Sequence, residues 1–412
     1  MLFLADLLGR TVCGQTRAPL GKLDDLIVRI GEGPYPPITG LVVRDRRLRF
    51  FVHAHQLAAL NGVAQLMSSL VDLQPYQRRD GEVLLGRDVL DYQIIDIAGH
   101  RVVRVNDIQI AYVDGVYRVV GVDTSLRAIL RRAGPHALSG HIVGRQIIDW
   151  SDVQYLASAA PVRLKVSYDR LADLHPVDLA RIVDSLSLTA GAEIVAALDD
   201  ETAADTLEEV SDERVADLIE GMDQERAADI LEEMDPGAAA DALEDLDEEI
   251  AEQLLAKMAP DEAADVQASL AYDEDSVGRI MTTELVRVPE DALVRDALAR
   301  IRALADVPDP LLAVYVVAAD DPDRLHGIVR LRNLILAEPD TPLQAVMDDD
   351  LPTVAPHDPA ERAAHLLAEY NLLAIPVLDD GERLAGIVTV DDALAVLMPE
   401  IWQRRGARMF HS

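Results

Sequence analysis

From Leu174 onward, an apolar residue returns every twelve positions: Leu174, Leu186, Leu198, Val210, Met222, Met234, Leu246, Met258 and Leu270. An aspartate column runs in step with it at Asp205, Asp217, Asp229, Asp241 and Asp265. Fixed-period self-similarity of this kind is the mark of a repeat array. Twelve helical residues turn the chain by roughly 1200°, about 120° beyond three full turns. An unbroken helix would carry the apolar column around every face, so the pattern predicts a break in each repeat and short helices of about two turns.

The breaks are written in the residues. Asp199, Ser211, Asp223, Asp235 and Asp247 each follow an apolar marker, where an N-cap acceptor belongs. Pro176, Pro236 and Pro260 stand just past their markers, where a first-turn proline is tolerated. Small triplets (Ala203-Ala204-Asp205, Ala227-Ala228-Asp229, Ala239-Ala240-Asp241, Ala263-Ala264-Asp265) let helices approach closely. The expected product over residues 168–272 is an all-α superhelical array of short antiparallel helices.

Ahead of the array the pattern changes to apolar β-type stretches at Leu26–Ile30, Leu41–Val43, Val102–Val105 and Val116–Val122, separated by Gly, Asp and Pro turns. Leu7-Leu8-Gly9-Arg10-Thr11-Val12 recurs as Leu84-Leu85-Gly86-Arg87-Asp88-Val89. The closing segments Val52-His53-Ala54-His55-Gln56-Leu57 and Ile148-Asp149-Trp150-Ser151-Asp152-Val153 also correspond. This β-rich region resembles two PRC-barrel units, residues 1–80 and 81–160, a small β-barrel interaction module. His53 and His55 are read as neighbours on one strand face, a surface pair or two ligands of a metal. A helix at 125–132 is expected to show Arg127, Arg131 and Arg132 as a basic patch.

After the array, two copies of a β-α-β-β-α unit follow. The first has strands expected at 285–288, 312–318 and 325–329, with helices near 291–304 and from Arg330. The second has strands at 352–355, 374–378 and 384–388, with helices near 358–370 and from Thr389. Met281-Thr282 corresponds to Met347-Asp348, and Gly327-Ile328-Val329 to Gly386-Ile387-Val388. The pair resembles cystathionine-β-synthase (CBS) domains, residues 276–342 and 343–400, which gives an α+β module. Many CBS pairs bind adenosine nucleotides through a Thr or Ser followed three residues later by Asp. Thr389 and Asp392 keep both groups in the second copy, while Arg330 and Asn333 stand there in the first. The resemblance therefore implies ATP or AMP at Thr389 and Asp392, with Arg330 able to neutralise phosphate. The competing reading makes Thr389 a helix cap with Asp392 at N3.

Charge sharpens this division. Residues 169–275 hold 34 of the chain's 73 acids but only 5 of its 38 Lys and Arg. Such a segment repels nucleic acid and anionic headgroups, attracts cations, and repels itself until something neutralises it. The longest apolar run, Leu311 to Ala319, is about nine residues, far short of the roughly 20 that span a bilayer. Met1-Leu2-Phe3-Leu4-Ala5-Asp6 lacks a basic flank and cleavage site. With Cys13 alone, no internal disulfide or cysteine metal cluster is available. The expectation is a cytoplasmic protein without membrane insertion or nucleic-acid binding. No Walker loop, dinucleotide glycine fingerprint, Gly-x-Ser-x-Gly elbow or His-Glu-x-x-His helix suggests an enzyme.

The bridge Ala271-Tyr272-Asp273-Glu274-Asp275-Ser276-Val277-Gly278-Arg279-Ile280-Met281-Thr282 joins array and CBS pair. With Tyr370-Asn371-Leu372-Leu373-Ala374-Ile375-Pro376-Val377 and Gly386–Asp392, it resembles the cytosolic region of the MgtE magnesium channel family over roughly 170–398. The resemblance implies an intracellular Mg²⁺ sensor in which ions bridge acidic surfaces of the array and the CBS pair. The family's pore is expected after the CBS pair, where this sequence has only Met398 to Ser412, whose residues 401–412 form a basic tail with Arg404, Arg405 and Arg408.

Mg²⁺ takes oxygen ligands and keeps several waters while touching one or two carboxylates. The metal candidates are Asp205 and Asp241, aligned loosely with acidic ligand positions of the family, then Asp229 and Asp265, with Asp348, Asp349, Asp350 and Asp391 on the CBS side. The expected function is a non-catalytic Mg²⁺-responsive regulator of low affinity, acting on a membrane transporter or another protein, with homodimerisation through the CBS pair implied by the resemblance. The alternatives are an adenine-nucleotide-sensing CBS regulator and a ligand-free adaptor or scaffold.

Overall fold

The structure, a computed structural model, describes residues 1–29, 33–61, 63–68, 71–79, 81–125, 128, 146–155, 169–304, 308, 310–379 and 381–397. The expected 125–132 basic helix and the 401–412 tail lie outside the described residues, apart from Ser125 and Ala128. The chain divides into two compact units, Met1–Ser211 and Asp212–Ser412.

The first unit begins with strands β1 (Leu2–Phe3), β2 (Thr11–Cys13), β3 (Pro19–Arg29), β4 (Ile38–Asp45), β5 (Leu48–His53), β6 (Leu57–Asn61) and β7 (Val63–Leu66), with a helical turn α1 (Leu4–Leu7) after β1. A second set follows as β8 (Glu82–Leu84), β9 (Gln93–Asp96), β10 (Arg101–Arg104), β11 (Asp107–Val113), β12 (Val116–Asp123), β13 (Ile147–Asp149) and β14 (Val153–Tyr155). The two sets exchange their first strands: β1 pairs antiparallel with β11, and β8 pairs antiparallel with β3. One continuous apolar core, from Leu4 through Phe50 and Leu85 to Val153, spans both sets.

Two buried aspartates fix the exchange. Asp25 accepts from Gly86 N–H at 2.7 Å and its neighbour Leu26 N–H at 2.8 Å. Asp107 accepts from Ala5 N–H at 3.0 Å and Ile108 N–H at 2.8 Å. Gly9 and Asp91 then take equivalent positive φ angles, 77° and 72°. Ala5 is thus the spatial partner of Gly86, and Gly9 of Asp91, so the opening repeat is displaced from the Gly9-to-Gly86 register read by letters. The cause is local. The two Leu-Leu-Gly-Arg runs fall at different points of the turn, which closes from Leu8 N–H to Leu4 O in one copy but is wider, Leu90 N–H to Leu85 O, in the other. The closing segments keep the register read from sequence, with matching 3₁₀ turns at Ala54–Gln56 and Trp150–Asp152.

The helices of the first unit are α2 (Asp169–Ala172), α3 (Pro176–Asp184), α4 (Leu188–Val195) and α5 (Asp200–Glu208). The second unit opens with α6 (Asp212–Glu220), α7 (Gln224–Glu233), α8 (Pro236–Glu244), α9 (Glu248–Leu255), α10 (Pro260–Leu270) and α11 (Val277–Ile280). The predicted breaks are where the helices start. Asp199 accepts from Thr202 N–H at 3.0 Å and Asp223 from Glu225 N–H at 3.1 Å, while Asp235 and Asp247 occupy N-caps without a side-chain capping bond to the helix. Pro176, Pro236 and Pro260 open their helices. Within each unit helices pack on the next but one as well as on neighbours: α3 on α5, α6 on α8, α7 on α9 and α8 on α10. The predicted small residues Ala203, Ala204, Ala227, Ala228, Ala239 and Ala240 are all buried.

The remainder of the second unit is α+β. β15 (Arg287–Pro289), α12 (Val294–Ala303), β16 (Ala313–Val317), β17 (Leu325–Arg330) and α13 (Leu331–Leu336) form the first copy. The second has α14 (Ala360–Tyr370), β18 (Ala374–Leu378), β19 (Leu384–Thr389) and α15 (Val390–Leu397). Its expected strand at 352–355 is reduced to a single parallel bridge, Val354 to Val377. Pro352 and Pro356 flank it, and neither has an N–H for a ladder. The copies are crossed at their entrances. Thr282 exchanges backbone hydrogen bonds with Ile387, and Asp348 with Ile328. A Cβ on Gly386 would stand 2.7 Å from Thr282 O and one on Gly327 2.8 Å from Asp348 O, so both equivalent places require glycine.

Candidate functional site

The bridge is bound to the second CBS copy by its backbone. Val277 N–H donates to Asp358 O at 2.8 Å, Gly278 N–H to Pro356 O at 2.7 Å, and Ala360 N–H to Asp275 O at 2.9 Å. This turns Arg279 inward. Its side chain is 2% exposed, yet it donates to Glu244 at 2.8 Å and Tyr272 O at 3.2 Å, and stands 3.4 Å from Asp241. Asp241, expected to be a metal ligand, is thus ion-paired to a guanidinium. The α8 helix comes close because Gly237 faces the Arg279 carbonyl, where any side chain would overlap it.

A second set of carboxylates lies within electrostatic reach of Glu262. Glu262 on α10 is pushed above the ordinary carboxylate range, first by burial, then by Asp265 on the same helix, Glu232 on α7 and Glu284 on the segment entering the CBS pair. Glu232 also accepts from Ala259 N–H at 2.7 Å. Asp265 was expected here; Glu232, Glu262 and Glu284 were not. Glu262 lies three residues before Asp265, hence on the same helix face. Glu232 stands in a twelve-residue column of its own, Glu208, Glu220, Glu232 and Glu244, whereas Glu284 lies beyond the array, so their meeting is tertiary.

The remaining metal candidates are dispersed. Asp205 is exposed on α5 of the first unit, its pKa raised by partial desolvation and by Asp199. Asp229 is exposed on α7, as is Asp391 on α15; Asp349 and Asp350 are exposed before the second copy, and Asp348 is ion-paired to Arg330 at 3.3 Å. His53 ends β5 and His55 lies in the following 3₁₀ turn, with rings 5.1 Å apart. Burial, then His55 and Arg79, lower the His53 pKa. Among the described residues, no three His, Cys, Asp or Glu side chains form a ready metal-ligand group.

At the expected nucleotide position, Thr389 is buried. Its hydroxyl donates to Asp392 at 2.5 Å and its N–H to the same carboxylate at 3.2 Å. Burial raises the Asp392 pKa despite those bonds. Arg330 caps α13 in the other copy and is engaged with Asp348. Thr389 and Asp392 are therefore together, and Arg330 belongs to the equivalent place in the other copy.

No helix among the described residues is long and apolar enough to cross a membrane. Residues 174–275 match the MgtE intracellular N domain, and residues 277–340 and 343–399 match the CBS domain. The magnesium transporter MgtE of Thermus thermophilus is 40% identical over 129 residues, 31% of this chain and 28% of the transporter. That of Bacillus subtilis is 34% identical over 129 residues with the same shares. The match thus spans less than a third of these relatives. The crystal structure of the soluble part of a magnesium transporter is similar at 30% identity and a TM-score of 0.52, covering 56% of this chain and 90% of that one. The cytosolic domain of the Mg²⁺ channel MgtE in complex with ATP is similar at 33% identity and a TM-score of 0.52, covering 55% and 92%. Over residues 174–399 this chain carries the MgtE intracellular N domain followed by a CBS-domain pair, the arrangement of the cytosolic region of the MgtE family.

Proposed function

We propose that this chain is a non-catalytic, Mg²⁺-responsive regulator that acts on a separate transporter or other partner. The observation that carries this reading is the repulsion that Glu262 feels from Asp265, Glu232 and Glu284, carboxylates of two array helices and the entrance to the CBS pair. These are hard oxygen donors with few neighbouring bases, which suits Mg²⁺ held through one or two carboxylates and its own waters. The bound ion would supply charge neutralisation, and these side chains would hold the array against the CBS entrance in response. Asp205, Asp229 and Asp391 are secondary candidates, whereas Asp241 and Asp348 must first leave Arg279 and Arg330.

The test is the thermal unfolding midpoint of the full chain titrated with Mg²⁺, ionic strength held constant with K⁺. Binding to the native state stabilises by about 2.7 kcal/mol at 100 times the dissociation constant. Wild type should show a saturable rise, and Glu262→Gln/Glu284→Gln should lose more of it than Asp205→Asn/Asp241→Asn. An equal rise with K⁺ alone would show only charge screening and overturn the reading.

A second reading is adenine-nucleotide binding at Thr389 and Asp392, favoured by the ATP complex of a similar MgtE cytosolic domain. ATP or AMP would have to compete with the Thr389–Asp392 bond. The β-rich halves, 1–80 and 81–160, serve in this proposal as PRC-barrel-like docking modules, and the helices of 168–272 as a superhelix. CBS domains at 276–342 and 343–400 form a homodimer through Ile335 and Leu336 of α13 and Leu394 and Leu397 of α15, all exposed apolar side chains.

A further inference from the structure

The outer face of the first β-rich half carries a row of bases. Lys22 on β3 stands opposite Arg44 on β4, and Arg44 opposite Arg49 on β5. Residues directly opposite share a face. The next rank along, Leu23, Val43 and Phe50, is buried, so the three bases point outward. Arg46 and Arg47 extend the row into the β4–β5 turn, and all five bases are exposed. Against them stand Asp45 of the turn and Asp24, which is 3.1 Å from Arg44 and 2.9 Å from Arg49. Both arginines nevertheless stay 51% exposed. Lys22, Arg46 and Arg47 have no ion-pair partner among the described residues. Like charges directly opposite destabilise a sheet, so this row is relieved by an anionic partner.

The array helix α9 has the complementary surface. Of its eight residues only Leu254 is buried. Asp245, Asp247, Glu248, Glu249 and Glu252, on the helix and just before it, are all exposed. Helix turns repeat about every 5.4 Å and neighbouring strands about every 4.8 Å, so Glu248 and Glu252 match adjacent members of the basic row. Arginine can hold such a carboxylate through two parallel bonds. A nucleic acid or an anionic membrane at the row would also meet the repulsion of the 34 acids in 169–275. Neither the row nor α9 is covered within one copy. The opening helices of the array attach to a different sheet, β10–β9–β14, where His100 beside β10 pairs with Asp178 of α3 at 2.8 Å.

We propose that the row of Lys22, Arg44 and Arg49 is a docking surface for α9 of a second copy of this chain. The contact uses none of the carboxylates invoked for Mg²⁺ and stands or falls separately from that reading.

The chain has only three lysines, Lys22, Lys165 and Lys257, so carbodiimide joining of amines to carboxylates reports on Lys22 with little background. In the full chain at low ionic strength, mass spectrometry should find Lys22 joined to residues 245–252. The yield should fall several-fold in concentrated KCl, and likewise in Arg44→Gln/Arg49→Gln. Two variants are then coexpressed. Lys22→Arg keeps the charge but has no amine to join, and Asp245→Asn/Asp247→Asn/Glu248→Gln/Glu249→Gln/Glu252→Gln keeps Lys22 but has no carboxylates on α9. Neither can form the link alone, and together they should form it between copies. No such link in the wild type, or links from Lys22 only to carboxylates outside 245–252, would overturn the proposal. A wild-type link that the coexpressed pair fails to form would show a contact within one copy and overturn it equally.

Discussion

Replacing Arg279 by methionine removes a guanidinium that is itself buried while its partners, Asp241 and Glu244, are 52% and 46% exposed. That asymmetry decides the magnitudes. After Arg279→Met, both carboxylates can rehydrate, and Arg279 Nε and Nη1, which lack hydrogen-bond partners among the described residues, are also gone. One charge-assisted bond and one bond to a carbonyl are lost, so the net cost is about 1–2 kcal/mol. Glu244→Ala does the opposite. It leaves the buried guanidinium with Tyr272 O and with Asp241 at 3.4 Å, and a stranded buried charge costs about 3 kcal/mol. The double variant should cost little more than Arg279→Met alone, because the charge that Glu244 compensates is no longer present. Urea unfolding of the full chain gives the three values, and amide exchange at Val277, Gly278 and Ala360 locates the loss at the bridge. A larger cost for Arg279→Met than for Glu244→Ala, or simple additivity, would refute this account of the junction.

Burial pushes the Asp25 pKa from 3.8 up to about 6, so the native state holds its proton more tightly than the unfolded chain. This contribution is complete below pH 4 and is lost as pH rises through 6, by about 3 kcal/mol for a shift of about two units. Asp25→Asn keeps an oxygen for Gly86 and Leu26 N–H; the urea midpoint of wild type minus variant should fall between pH 4 and 7, and a flat difference refutes the assignment. Gly237→Ala should destabilise the second unit by about 1–3 kcal/mol through overlap with the Arg279 carbonyl, measured by urea unfolding, whereas Gly115→Ala, where a Cβ meets nothing, should lose only the strain of its positive φ.

Local chemistry explains what could be read in advance. N-cap aspartates, first-turn prolines and the buried alanines act within a dozen residues, so the helix starts were legible from Asp199, Asp223 and Pro236. The paired glycines Gly327 and Gly386 were legible as equivalents, although the reason, the passage of Asp348 and Thr282 backbone beside them, is visible only in three dimensions. Arg279 escaped notice because nothing in the bridge sequence marks a buried cation. Its environment is made by α8, more than thirty residues earlier. The carboxylates around Glu262 come from three separated segments for the same reason, and the ion pair of Asp241 with Arg279 was not legible because a periodic column does not tell which member meets an arginine.

The crossing of first strands in the β-rich region has a practical consequence for anyone who cuts this chain. A nick within 71–79 leaves a fragment that retains β1 but not the β11 it pairs with, and another that retains β8 but not β3. Neither fragment alone can close its sheet, and each would present an open edge seeking the missing strand. The two pieces should therefore copurify and survive only as a complementing pair, so a truncation chosen at the repeat boundary is a poor way to isolate either half.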